Sequence, residues 1–219
     1  HWVRRVMLAR KARLVKHNSR LSQGSLLDIG TGTGYFPHFM QERGWHVSAI
    51  EKSPQARQFA KEHFELDVAA PEALNEFADK SFDVITLWHV MEHLEHLNET
   101  WETLKRILKD QGILIIAVPN PTSFDAEKYK EMWGAYDVPR HLWHFSPSVM
   151  QQFGAKHDFI LCERHPMPFD AFYVSMLSEK YRKSAFPFIK GLITGAEAWI
   201  VSLAKKDRSS SMIYVFRKK

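Results

Sequence analysis

Residues 26–36, LLDIGTGTGYF, constrain the fold of this chain more than any other stretch. Apolar residues lead into a tight turn with glycines at alternate positions, Gly30, Gly32 and Gly34, which predicts a buried parallel strand, a loop and then a helix. Glycine allows a positive φ angle and lets the backbone approach a ligand closely. We expect the helix to begin at Tyr35, with N-terminal N–H groups that favour negative charge at the loop.

The residues that follow strengthen this interpretation. Gly44 is expected to end the helix, residues 46–50 predict a second strand, and Glu51 comes directly after it. An acidic side chain about 20 positions beyond a glycine turn suits hydrogen bonding to ribose hydroxyls. The glycines lack both the G-x-G-x-x-G spacing of a dinucleotide site and the Lys-Ser/Thr of a P-loop. The two strands and the helix therefore predict a βαβ unit that binds an adenosine-bearing ligand.

Four ordered motifs carry a family resemblance across residues 26–159: D-x-G-x-G-x-G followed by Glu51, then SFDVI with LWHVMEHL (81–94), GILIIAVPN (112–120) and DVPRHLWHFS (137–146). With them the chain resembles the class I S-adenosylmethionine-dependent methyltransferases. The last motif resembles a bacterial branch related to quinone-biosynthesis O-methyltransferases.

The resemblance implies an α/β, Rossmann-like fold: a seven-stranded, mostly parallel sheet with helices on both faces and an antiparallel last strand. The expected strands are 25–29, 46–50, 64–69, 83–88, 113–118, one beginning at 159–163, and 212–217. Ser53 is expected to cap a helix to about residue 63, and Asn98 a helix that Gly112 ends. The length predicts a single domain, 1–219. The residue pattern predicts an amphipathic helix at 2–17 and a helical insertion at about 168–205; the resemblance implies that the first helix could be a lid over the cofactor site.

The resemblance also implies S-adenosylmethionine as cofactor and S-adenosylhomocysteine as product. The expected cofactor-binding residues are Asp28, Gly30, Thr31, Gly32, Gly34, Tyr35, Glu51, Lys52, Trp88 and His89. Trp88 could instead be a core aromatic, and Asp28 a carboxylate that caps the loop. For the adenine contact, Asp67, Val68 and Glu72 remain open, and acceptor contacts are expected from the first helix, residues 121–145 and the insertion.

Histidines are the candidate general bases, because an imidazole titrates near neutral pH and suits deprotonation of a hydroxyl. The catalytic candidates are His89, His93 and His141, with His144 also considered, and each could equally be structural. Arg140 could hold an acidic substrate group or form a structural pair.

The residues 89–93 also spell H-x-x-E-H, a zinc pattern of inverzincin proteases. That pattern needs one helix carrying both histidines, whereas His89 follows a strand directly. Some quinone O-methyltransferases carry Glu-x-x-Glu-His here and use a divalent ion, but His89 replaces the first Glu and weakens a hard-cation site. We therefore predict no metal site and no zinc hydrolase.

Charge is concentrated at the start of the chain. The net charge is +5, and the first 20 residues hold seven Lys or Arg and no acid. These residues could form a patch for an anionic substrate, a membrane surface or nucleic acid. The favoured interpretation is a solvent-facing helix surface whose buried side is made by Val3, Val6, Met7, Leu14 and Val15.

The predicted function is methyl transfer to a small molecule, lipid precursor or saccharide, at oxygen. The alternatives are a non-catalytic cofactor-binding module and a nucleic-acid methyltransferase; against the latter, there is no Asn/Asp-Pro-Pro-Tyr/Phe motif. A lone cysteine, Cys162, excludes an intrachain disulfide, and with no visible signal peptide it suggests a bacterial cytoplasmic protein. Lys190 and Glu197 argue against a membrane span at 185–204, leaving peripheral contact open. A monomer or homodimer is expected.

Overall fold

A computed structural model describes residues 2–219 and shows one six-stranded sheet in the order β2-β1-β3-β4-β6-β5. The strands are β1 (Ser25–Ile29), β2 (His46–Ile50), β3 (Phe82–Trp88), β4 (Leu108–Pro119), β5 (Phe159–Met167) and β6 (Ser211–Lys218). The pairs β1–β2, β1–β3 and β3–β4 are parallel, whereas β6 runs antiparallel to both β4 and β5. The predicted antiparallel last strand is confirmed.

The prediction of a seventh strand at 64–69 is wrong for the described residues. This segment makes only one isolated parallel bridge, between Ile50 and Ala69. Glu65 takes a left-handed conformation (φ 53°) that ends the preceding helix, and Asp67 points into solvent beside Lys61. Too few residues remain for a strand.

Eight α-helices surround the sheet within the described part of the chain. They are α1 (Trp2–Ser19), α2 (Tyr35–Gln41), α3 (Pro54–Phe64), α4 (Leu97–Ile107), α5 (Phe124–Tyr129), α6 (Pro147–Lys156), α7 (Asp170–Tyr181) and α8 (Pro187–Ala204). The predicted cap of α3 is confirmed, since the Ser53 hydroxyl accepts from the Ala56 N–H. Helices α7 and α8 lie between β5 and β6, in the segment expected to be helical.

Both ends of helix α4 differ from the predicted ones. It begins at Leu97, so Asn98 is not its cap, and it ends at Ile107, so Gly112 does not end it. Leu108 pairs with Phe82 at once, and the buried side chains of residues 107 and 108 take the chain straight from helix into strand. Gly112 therefore lies inside β4.

The core fills both faces of the sheet. Residues 113–118 of β4 are fully buried, as expected for a central strand covered on both sides. One apolar cluster is built around α4, with Trp101 at its centre, and the other around α2. Among residues 2–219, no helix combines the length and the hydropathy that crossing a bilayer requires.

Helix α1 packs by its C-terminal half. Val15 is fully buried and Ala12 nearly so, but Val3 and Val6 are exposed, so the expectation that they lie on the buried side is wrong.

Candidate active site

The glycine loop connects β1 to α2 at the carboxyl edge of the sheet. Gly30, Gly32 and Gly34 all have positive φ angles, of 69°, 57° and 82°. A Cβ atom at Gly30 would lie 2.3 Å from Val90, and one at Gly34 would lie 2.9 Å from Ala60. At Gly32 a Cβ would meet nothing within 4 Å. Gly32 therefore borders open space where a ligand can approach the backbone.

Glu51 faces this loop. Its carboxylate accepts hydrogen bonds from the Gly32 N–H (2.7 Å) and the Ser53 N–H (2.9 Å). The carbonyl of Ile50 accepts from the N–H groups of both Gly30 and Thr31. The end of β2 thus fixes the loop, and each Glu51 oxygen keeps lone-pair capacity for a hydroxyl donor.

Asp28 lies buried beneath the loop. Its carboxylate accepts a hydrogen bond of 2.5 Å from Thr86 on β3. Burial raises the pKa of Asp28 to about 6, although the Thr86 hydroxyl acts in the opposite direction. A buried carboxylate in this position is suited to receive a cationic group.

Replacement of Asp28 by Asn tests this assignment. Because the folded-state pKa of Asp28 is raised, its ionised form costs stability above about pH 6, and Asn removes that cost while still accepting from Thr86. We expect a thermal midpoint at pH 7.5 higher by about 2–4 °C per kcal/mol gained. We also expect binding of S-adenosylhomocysteine to weaken by about tenfold or more, as for a lost charged hydrogen bond. Thermal melts and calorimetry measure both; unchanged affinity would exclude a ligand role for Asp28.

Trp88 ends β3 at the mouth of the site. It is largely buried, its ring packs edge-on against Phe36 at 5.6 Å, and its indole N–H has no hydrogen-bond partner. The Thr31 hydroxyl is also buried without a partner. Both groups keep unused hydrogen-bonding capacity beside the open loop, where a bound ligand could supply partners.

Lys11 reaches the same place from α1. Its ammonium lies 4.3 Å from the centre of the Trp88 ring. Burial lowers the pKa of Lys11, against the attraction of Asp28 and Asp170. In the sequence, Lys11 was one of seven basic residues among the first 20 and had no mark of a site residue. No sequence pattern identified Asp170 as a site residue.

His89 is held by two carboxylates. It has a positive φ angle of 58°, its Nδ1 lies 3.4 Å from Glu92, and its Nε2 lies 3.1 Å from Asp170. Burial acts to lower the pKa of His89, but Asp170 and Glu92 outweigh it and raise the pKa to about 10. A group with so high a pKa is protonated at neutral pH, which favours His93 or His141 over His89 as the general base; the catalytic role of His89 stays a prediction.

The charge of His89 sets a pH dependence of stability. Its pKa rises from 6.5 to about 10 on folding, so its contribution is complete below pH 6.5 and is lost as the pH rises towards 10. Because the side chain is about one third exposed, we expect a slope below about 1 kcal/mol per pH unit.

Denaturant unfolding between pH 6 and 10 measures this slope, and His89→Gln should flatten it. The control is His63→Gln, an exposed histidine on α3, which should leave the slope unchanged. Equal slopes in wild type and His89→Gln would contradict the ion pair.

Glu92, His93 and His141 form a second group beside His89. One ligand atom from each lies within 4.8 Å of the others, and both Glu92 oxygens are buried without a hydrogen-bond partner. The Nδ1 atoms of His93 and His141 face the carbonyls of Arg140 (2.9 Å) and Ala135 (2.8 Å). Both Nε2 atoms are left as acceptors. This spacing is also compatible with a divalent ion, and the absence of a metal stays a prediction.

The side chains of the other expected residues have partners outside this group. The Tyr35 ring is covered by the Arg4 guanidinium at 3.9 Å, and Lys52 is exposed with its ammonium 3.8 Å from Glu95. His144 faces the Tyr136 carbonyl at 3.3 Å. Arg140 contacts Asp137 at 3.4 Å, which fits a structural pair.

The H-x-x-E-H pattern does not lie on one α-helix. His89 directly follows β3, and residues Met91–His93 form a short 3₁₀ turn. The context that an inverzincin site requires is absent from these described residues.

A cleft of about 280 Å³ opens beside Trp88, between α1 and the start of α7. Its basic lining residues are Arg10, Lys11, Arg13, His17 and His165, and its apolar ones include Met7, Leu14, Met167, Phe169 and Ile213. Asp170 is the acid among the lining residues. Six of the seven basic residues among the first 20 are exposed, as the favoured interpretation of the sequence expects. Arg10, Lys11 and Arg13 also line this cleft. Residues 121–145 do not contribute to this lining.

Comparisons with known proteins agree with this geometry. A family model described as "Methyltransferase domain" matches residues 1–162. An uncharacterized methyltransferase of Staphylococcus carnosus is 33% identical over 112 residues, 50% of this chain and 53% of that protein. A ubiquinone biosynthesis O-methyltransferase of Pelagibacter ubique is 34% identical over 104 residues, 44% of this chain and 42% of that protein.

A solved structure extends the similarity to the whole fold. A crystal structure described as a sarcosine dimethylglycine methyltransferase from Galdieria sulphuraria matches with a TM-score of 0.66 at 16% identity, covering 97% of this chain and 84% of the other. The sheet order, glycine loop and facing carboxylate thus define a Rossmann-like α/β protein with a ligand cleft at the carboxyl edge.

The chain belongs to the methyltransferase domain family, whose cofactor is S-adenosylmethionine. It spans about half the length of the curated relatives it matches.

Proposed function

We propose that this protein transfers a methyl group from S-adenosylmethionine to an oxygen atom of a small acceptor that has an apolar body and an anionic group. The main support for the cofactor site is the open space at Gly32 beside the Glu51 carboxylate. When bound there, the cofactor supplies an activated methyl group.

The chain's own residues would hold it from several sides. Glu51 would accept from ribose hydroxyls, Asp28 would face the amino group, and the Trp88 N–H and Thr31 hydroxyl would gain the partners they lack. Among the open adenine candidates, Asp67 is engaged with Lys61 at the surface, which leaves Val68 and Glu72.

The acceptor class follows from the cleft beside Trp88. Arg10, Lys11 and Arg13 against one acid, Asp170, favour an anionic group, and the apolar lining favours an aromatic or aliphatic body. The relative from Pelagibacter ubique is named an O-methyltransferase, which supports oxygen as the acceptor atom.

His141 is our choice of general base. Its Nδ1 faces a carbonyl and its Nε2 is an acceptor, and burial lowers its pKa so that it is neutral at pH 7. The buried Glu92 carboxylate would stabilise the imidazolium that proton uptake creates. His141 does not line the cleft but adjoins it through Glu92 and His89.

Methyl transfer from radiolabelled S-adenosylmethionine tests the proposal. The acceptors are hydroxylated aromatic and aliphatic acids, each paired with its neutral amide. We expect product from acids and at least tenfold less from the amides. Calorimetry with S-adenosylhomocysteine runs in parallel: no binding would overturn the cofactor assignment. Binding with product only on nitrogen acceptors or nucleic acid would overturn the acceptor assignment.

A further inference from the structure

Helix α8 is packed with its small residues inside and its large apolar residues outside. Its buried residues are Gly191, Thr194, Gly195, Ala198 and Ser202. Its strongly exposed residues include Phe188, Ile189, Ile193, Ile200 and Leu203, each more than half accessible. A helix on the surface of a water-soluble domain normally shows the reverse pattern.

The small residues allow α8 to touch α7 at the level of the backbone. A Cβ atom at Gly191 would lie 2.6 Å from the Met176 Cα, and one at Gly195 would lie 2.7 Å from the Phe172 Cα. The two glycines form a G-x-x-x-G pair. Close packing through small residues, with large apolar side chains facing outward, is typical of helices that contact lipid.

Basic residues surround this surface. Residues 179–207 contain six Lys or Arg and three acids, Glu179, Glu197 and Asp207, so this segment carries a net charge of +3, more than half of the +5 of the whole chain. Glu197 is paired with Lys128 of α5. Aromatic side chains of Tyr181, Phe186 and Trp199 are also exposed here, and rings of this kind prefer the interface between water and hydrocarbon.

We propose that the outer face of α8, together with the basic segment before it, binds the surface of an anionic lipid bilayer. The apolar side chains enter the headgroup boundary while the basic residues meet lipid phosphates. A second copy of this chain fits less well, because a two-fold interface would bring the same excess of basic residues against itself. The inference does not depend on the proposed function.

Vesicle flotation tests the apolar part. In 0.1 M salt we expect the protein to float with vesicles of phosphatidylcholine and phosphatidylglycerol (3:1) and to stay at the bottom with phosphatidylcholine alone. Ile193→Asp combined with Ile200→Asp should reduce the floated fraction at least tenfold. The matched control, Val149→Asp with Ile160→Asp, changes two exposed apolar residues of α6 and β5 and should float as wild type does.

A second pair of variants tests the charges. Each basic residue near an anionic surface contributes about a fivefold gain in affinity, so Lys183→Gln with Lys190→Gln should weaken vesicle binding by about 25-fold. Lys61→Gln with Lys105→Gln, which replaces lysines already paired with aspartates, should have little effect. Circular dichroism verifies the fold of every variant.

Three results would overturn the inference. The first is equal flotation with neutral and anionic vesicles. The second is flotation unchanged by the Ile193 and Ile200 substitutions. The third is no flotation with the anionic vesicles; if light scattering then shows a dimer that those substitutions dissociate, the face is a contact between copies.

Discussion

Substitution of Gly32 by Arg is expected to abolish binding of S-adenosylmethionine while the protein remains folded. A side chain at Gly32 meets no protein atom within 4 Å, so it enters the open space beside Glu51 that we assign to the cofactor. The positive φ angle of 57° adds a strain of about 1–2 kcal/mol. We expect the dissociation constant for S-adenosylhomocysteine, measured by calorimetry, to rise by at least about 100-fold, or ~2.7 kcal/mol.

The matched control is Gly44→Arg. Gly44 has a similar φ angle of 81°, is exposed, and lies at the far end of α2, where a Cβ meets the flexible end of the Gln23 side chain. We expect it to lose comparable stability and to keep cofactor binding. Normal binding by folded Gly32→Arg would show that the cofactor lies elsewhere.

The second large effect concerns His141. Loss of a general base lowers turnover by about 10²–10⁴-fold, so His141→Ala should lose activity on that scale and keep its affinity for S-adenosylhomocysteine. His144→Ala is the control, since the Nε2 of His144 already faces the Tyr136 carbonyl. Because burial lowers the pKa of His141, the midpoint of the fall in wild-type turnover with decreasing pH should lie below the 6.5 of an ordinary histidine.

A chelator separates this role from metal binding. If His141 acts as a base without a metal, turnover should be unaffected by EDTA. Loss of activity in EDTA, restored by a divalent ion, would instead assign the Glu92, His93 and His141 group to a metal and contradict the predicted absence of one.

Local patterns predicted the part of the site nearest to the glycine loop. The glycine loop follows β1 and Glu51 follows β2, and these two strands are adjacent and parallel in the sheet. The proximity of the loop and Glu51 therefore follows from a single βαβ unit. The continuous apolar runs likewise predicted nearly all of β3 and the second half of β4, residues 113–118 of Leu108–Pro119.

Residues brought together by long-range packing were beyond sequence reasoning. Asp170 pairs with His89 across 81 positions, and that contact raises the pKa of a residue that the sequence offered as a general base. Lys11 reaches Trp88 only because α1 folds over the carboxyl edge. The sequence did not show which face of α8 packs against α7, because the average hydropathy of a helix is the same whichever face is buried.

The two hydrogen bonds of Glu51 bear on how tightly an adenosyl group can be held. A free glutamate must give up rotamer freedom when it grips a ribose, at a cost of up to about 2 kcal/mol. Here the backbone N–H groups of Gly32 and Ser53 already immobilise the carboxylate. The Glu51 side chain is thus ordered during folding and is preorganised for a ligand. The entropic penalty of association then falls on the ligand and on side chains that no backbone hydrogen bond holds in place.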